Sequence, residues 1–190
     1  MHSMISRFAE RCVEKQIISR DQVAWFIYGL EKRLFTIVAS VPFLLLAIAI
    51  TGFPCAVCFF AAFFFLRKYI GGFHANSALG CLIFSLLSEL VLFFLLYPVL
   101  NAIAVLCIVV TGIVLTYILA PYNHPNMHLT EEEFAACRKK SRSHIWAISA
   151  LVLAAGICGL EEAAKGLTLG IALATALLCL GHIFNRRISK

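Results

Sequence analysis

RKYIGGFHANSALGCLIFSLLS, Arg67 to Ser88, is the interruption around which the apolar runs of this chain are arranged. Two cations lead into the Gly71-Gly72 pair, His74 follows, and Cys81 comes seven residues after His74. The stretch then becomes an apolar segment marked by Ser85, Ser88 and, just beyond it, Glu89. Cations and flexible glycines between two long apolar runs predict a joint at the edge of a bilayer, with spans on either side.

Composition agrees. Of 190 residues, 62% are hydrophobic and 14% charged, and the mean hydropathy is +0.92. A soluble domain of this size has no core large enough to hide so many apolar side chains. The expected fold is all-α: a polytopic membrane protein of about six transmembrane or re-entrant helices, with N-terminal amphipathic helices. One membrane domain is expected over residues 1–190. It comprises cytoplasmic amphipathic helices at 1–33, a helical bundle at 34–184 with a cytoplasmic connection at 121–143, and a tail at 185–190.

Working outward, Leu34 to Gly52 is long enough to cross a membrane. The run from Pro54 to Leu66 is short by itself, as for a re-entrant helix, and spans if it continues through Arg67 to Tyr69 with the cations snorkelling. Ala78 to Tyr97, Val99 to Ala120, His144 to Leu160 and Leu167 to Phe184 complete the set. With the N-terminus in the cytoplasm and six crossings, fifteen of the sixteen Lys and Arg fall inside. The remaining one, Lys165, joins Glu161 and Glu162 in the expected outer loop.

Ile5, Phe8, Cys12 and Val13 recur at helical spacing among charged residues, and Ser19 with Gln22 forms a capping-box pattern before Val23, Trp25, Phe26 and Leu30. These helices either lie on an anionic membrane surface or pack on the protein's own underside. In the 121–143 connection, Thr130 and Glu133 form a second capping box. Glu131 to Glu133 open a helix and Arg138, Lys139, Lys140 and Arg142 close it, matching the helix dipole. That helix is either a solvated lead into the fifth span or an electropositive dock for an acidic segment. His124 and His128 have no obvious third ligand, and Cys55 with Cys58 has no second pair, so no metal and no cofactor is expected.

The chemistry that uses a histidine and a thiol is acyl transfer. The thiolate attacks, and the imidazole takes the thiol proton and returns it to the leaving amine. In one continuous helix, seven residues put the two Cα atoms ~10 Å apart, too far for a direct hydrogen bond. A working pair therefore needs a bend, for which Gly71 and Gly72 supply the freedom, or completion on binding. Ser77, Cys81, Ser85 and Ser88, with Glu89 at the margin, extend a polar stripe that lines a wet cavity or packs on another helix. Asn76 stands where it either orients His74 or caps a helix.

The run Arg67-Lys68-Tyr69-Ile70-Gly71-Gly72-Phe73-His74-Ala75, with Cys81 seven residues beyond His74, resembles the AgrB family, the accessory gene regulator B membrane endopeptidases of Gram-positive quorum sensing. Tyr28-Gly29-Leu30-Glu31 is similar to that family too, as is Ala120-Pro121 leading to Glu131 to Glu133 and Arg138 to Arg142. The resemblance implies a cysteine endopeptidase that removes the acidic C-terminal tail of an AgrD-type propeptide. Cys81 would be the nucleophile and His74 its base, through a thioester that an internal cysteine of the peptide resolves into a thiolactone. Arg67, Gly71, Gly72, Ser77, Arg138, Lys139 and Lys140 would contact substrate. The resemblance also implies a homodimer in the bacterial cell membrane, with both termini and the site on the cytoplasmic side and no nucleic-acid partner. The competing reading is a small transporter or channel whose polar pathway surrounds Glu89.

Overall fold

The computed structural model describes residues 2–73, 78–122 and 130–188. The described residues form helices with short connections and no strand, as expected of an all-α membrane protein, and fall into two compact units, residues 1–45 and 46–190.

In the first unit, α1 (His2–Glu14) buries Ile5, Ala9 and Cys12, three residues on one helical face. Gln16, with φ of 56°, ends it, and the Ile17 amide bonds the Cys12 carbonyl at 2.9 Å. Ser19 then caps a 3₁₀ turn, its amide donating to the Gln22 carboxamide at 3.4 Å. Phe8 stacks on Phe26 at 6.2 Å between ring centres. The next helix, α2 (Val23–Thr51), begins here and runs on into the second unit. The expected amphipathic helix and first span are thus one 29-residue helix. Glu31, Lys32 and Arg33 are polar but strong helix formers, so nothing between the two halves ends it.

The second unit is built on its last helix. Gly52, at φ 84°, separates α2 from α3 (Phe53–Ile70), whose 18 residues reach through Arg67 and Lys68 and extend about 27 Å. The run counted short at Leu66 is therefore of full helical length. Beyond a gap come α4 (Ala78–Val91), a π-helical turn at Leu92–Leu96 and a 3₁₀ turn at Tyr97–Val99. Asn101 accepts from the Ala104 amide at 2.9 Å and starts α5 (Ala102–Leu119). Thr130 and Glu133 form the expected capping box at the head of α6 (Glu131–Ile157), the Glu133 carboxylate accepting from the Thr130 amide at 2.9 Å. The basic helix and the fifth apolar run are one helix. Glu161 and Glu162, expected in a loop with Lys165, form the first turn of α7 (Glu161–Ile188), where carboxylates suit the helix dipole.

α7 packs on α3, α5 and α6, and Leu169, Ile171, Ala174 and Leu178 are fully buried. α3 lies parallel to it, in a register read from their closest approaches. A Cβ on Gly166 would meet the Cys55 carbonyl carbon at 2.9 Å, and one on Gly170 would meet the Phe59 carbonyl oxygen at 2.8 Å. One on Gly181 would lie 3.0 Å from the Phe73 amide nitrogen. Small residues at such spacing are what let two apolar helices share backbone contact. Among the described residues, three helices are long and apolar enough to cross a membrane: Phe53–Ile70, Ala102–Leu119 and Glu161–Phe184. Ile37–Thr51 and Ile83–Val99 are shorter apolar helical stretches.

Candidate functional site

α3 stops where its sequence changes. Gly71 has φ +69° and Gly72 φ +128°, conformations an L side chain rarely adopts, and residues 71–73 are not helical. The helix of α3 is therefore not continued through residues 71–73. The chain leaves the helix at residues 71–73, and α4 is described from Ala78, with Cys81 three residues on. His74, Asn76 and Ser77 lie outside the described residues, as do the side chain of Cys81 and the pair His124 and His128.

The bend is held from several sides. The Arg67 guanidinium donates through one terminal nitrogen to the Gly71 carbonyl and through the other to the Phe73 carbonyl, the latter at 2.6 Å. The Phe73 amide donates to the Leu177 carbonyl on α7 at 2.9 Å. The Tyr122 amide donates to the Ile70 carbonyl at 2.9 Å. Tyr122 follows a cis Ala120-Pro121 bond, and its burial raises the phenol pKa. His182 rests on the Tyr122 ring at 5.0 Å, and its Nδ1 donates to the Leu178 carbonyl at 3.1 Å. The Phe73 ring sits between Phe84 of α4, at 5.0 Å, and Phe184 of α7, at 5.3 Å. Phe73 lies within the quoted motif but carries no chemistry of its own, and no motif marks Phe84, Tyr122, Leu177 or Gly181.

Arg67, Gly71 and Gly72 are thus together, whereas Arg138, Lys139 and Lys140 belong to α6 and are exposed. One aromatic ring joins the two groups. Tyr69, two residues before Gly71, has the Lys68 ammonium 5.3 Å and the Lys140 ammonium 5.5 Å from its centre, and His144 at 4.6 Å. Arg138 lies over Phe134 at 5.0 Å. Arg138 and Lys139, with Glu131, Phe134, Ala135 and Arg142, line an open depression of about 530 Å³. Arg142 also covers Tyr117 at 4.6 Å, and Trp146 donates to the Tyr117 hydroxyl at 2.8 Å. Such aromatics suit a membrane–water boundary.

On the polar stripe, Ser85 is exposed and Ser88 donates to the Phe84 carbonyl at 2.7 Å. Glu89 is 4% exposed, and its Oε1 has no hydrogen-bond partner among the described residues. Among those residues no three His, Cys, Asp or Glu side chains come together as a metal site would require.

Compared with protein-family models, residues 4–180 match the one described as AgrB, accessory gene regulator B. Neither the curated proteins nor the solved structures yield a match.

Proposed function

The chain belongs to the accessory gene regulator B family, membrane proteins that process an AgrD-type autoinducer propeptide, and from that premise we propose that it is a cysteine endopeptidase with Cys81 as nucleophile and His74 as base. The observation that carries the pairing is the contact of Phe73 with Phe84. Phe73 directly precedes His74, and Phe84 stands one helical turn after Cys81. A ring contact between them brings α4 against residue 73, which supports a pairing of the two residues that need to approach.

The reaction has two halves. The Cys81 sulfur attacks the carbonyl at the cut, His74 takes the thiol proton, and the C–N bond breaks as that proton passes to the departing amine of the tail. The upstream fragment is left as a thioester. A cysteine thiol within the peptide then attacks this carbonyl, loses its proton to His74, and displaces Cys81, which regains a proton as the thiolactone closes. Amide to thioester is uphill, but exchange between thioesters is nearly even, so the intermediate persists where water is excluded. The bilayer edge supplies that exclusion.

The cation distribution puts both termini, the bend and α6's basic turn on the cytoplasmic side. There Arg138, Lys139 and Lys140 attract the acidic tail, Ser77 adjoins the peptide, and the protein works as a homodimer. The test is co-expression with a C-terminally tagged propeptide from the neighbouring reading frame, comparing wild type, Cys81→Ala and His74→Ala at matched membrane levels. Wild type alone should release the tail and carry a hydroxylamine-labile adduct. Cutting by both variants would refute the assignment. Loss of function in Glu89→Ala with retention in Cys81→Ala would favour a transport pathway around that buried carboxyl.

A further inference from the structure

We propose that Arg67 is a positioning residue, whose guanidinium sets the main chain leading from α3 to His74 and does not grip the substrate's acidic tail. The inference rests on the endopeptidase reading of the same site and concerns what its one arginine does there.

Arg67 occupies the last turn of α3, where backbone carbonyls run out of intrahelical partners. Its planar fork reaches past the helix end to the carbonyls of Gly71 and Phe73, two residues apart. Bonds from a cation to such acceptors are stronger than neutral ones, and a fork fixes direction as well as distance. The Phe73 carbonyl belongs to the peptide unit that joins Phe73 to His74, and a peptide unit is planar. Holding that oxygen sets the plane from which the next residue departs. The Phe73 amide on the Leu177 carbonyl holds the preceding plane.

The glycines fit the same account. A Cβ on Gly72 would run into the Arg67 guanidinium and would lie 2.7 Å from the Leu177 carbonyl oxygen. A Cβ on Gly71 would lie 2.5 Å from the Tyr122 carbonyl oxygen. The space both glycines leave open is filled by the protein itself, by Arg67, Tyr122 and α7. Lysine cannot replace this arginine, because a single ammonium at the end of a flexible stem does not present two fixed donors to two carbonyls.

The test uses full-length protein in detergent with two propeptides, one with its acidic tail and one with the tail acids replaced by amides. A clamp predicts that Arg67→Ala and Arg67→Lys lose about 100-fold in kcat. KM should stay within about two-fold, the loss should be equal on both propeptides, and added guanidinium ion should partly restore Arg67→Ala. A loss confined to KM that disappears on the amidated tail would overturn the proposal, because it would make Arg67 a carboxylate holder. So would an active Arg67→Lys, which decides the matter if Arg67→Ala fails to accumulate. Failure of the wild type on both propeptides would instead overturn the endopeptidase reading.

Discussion

α3 and α7 run side by side, and their two ends are fastened differently. Where both helices begin, backbone meets backbone: Gly166 lies on Cys55 and Gly170 on Phe59. Side chains close that end, with Tyr97 donating to Glu162 at 2.7 Å and Lys165 paired to the same carboxylate at 2.9 Å. At the other end α3 has already stopped. Gly181 lies not on a helix but on the Gly72–Phe73 backbone, and the fastening is an arginine on carbonyls and an amide on a helix carbonyl. The first end joins two regular elements and can be purely structural. The second holds irregular backbone in conformations that glycine adopts and an L side chain resists, over-determined by partners on several sides.

The largest effect expected from this contrast is at the first end. A valine at Gly166 has its Cβ 2.9 Å from the Cys55 carbonyl carbon, so the helices must part along their length. Gly166→Val should cost about 3 kcal/mol and should lower membrane abundance and thermal stability in detergent together with activity. Normal abundance with unchanged melting would mean that the α3–α7 contact at that end is slack.

At the second end stability and activity should separate. Gly72→Ala places a methyl group 2.7 Å from the Leu177 carbonyl oxygen, in a backbone conformation alanine resists. The strain is about 1–3 kcal/mol, borne by a bend that contributes little to the buried core. The protein should therefore still accumulate, while propeptide cleavage falls about 100-fold from a displaced catalytic group. An abundant and fully active Gly72→Ala would break the comparison, since the bend would then not be over-determined.

How much of this was legible beforehand follows physical lines. Hydropathy reports where a chain turns apolar, not where a helix begins. That is why the membrane class and the apolar runs could be read, whereas the continuity of α2 through Glu31 to Arg33 and of α6 through Arg138 to Arg142 could not. The Thr130–Glu133 cap was legible because it is local, four residues whose bonds need no partner elsewhere. The cradle of the bend was not. Leu177 contributes a backbone carbonyl, which every residue has, and Phe73 and Phe84 are two of sixteen phenylalanines. The reactive pair was named from its chemistry and its resemblance, and the described residues bring Phe73 and Phe84 together on either side of it.

The smallest effect expected is in the clasp beside Gly166. Glu162 accepts from both Tyr97 and Lys165, but its side chain is 41% exposed, so water screens most of the charge interaction. Glu162→Gln keeps the length and one acceptor oxygen, and removes the charge and the second acceptor. The expected loss is about 0.5 kcal/mol, read as a melting shift of about 1–2 degrees that shrinks further in high salt, with propeptide cleavage unchanged. A large loss of cleavage from this neutral exchange would mean that the two ends are coupled through α7. The division between a structural end and a working end would then give way to a single helix transmitting between them.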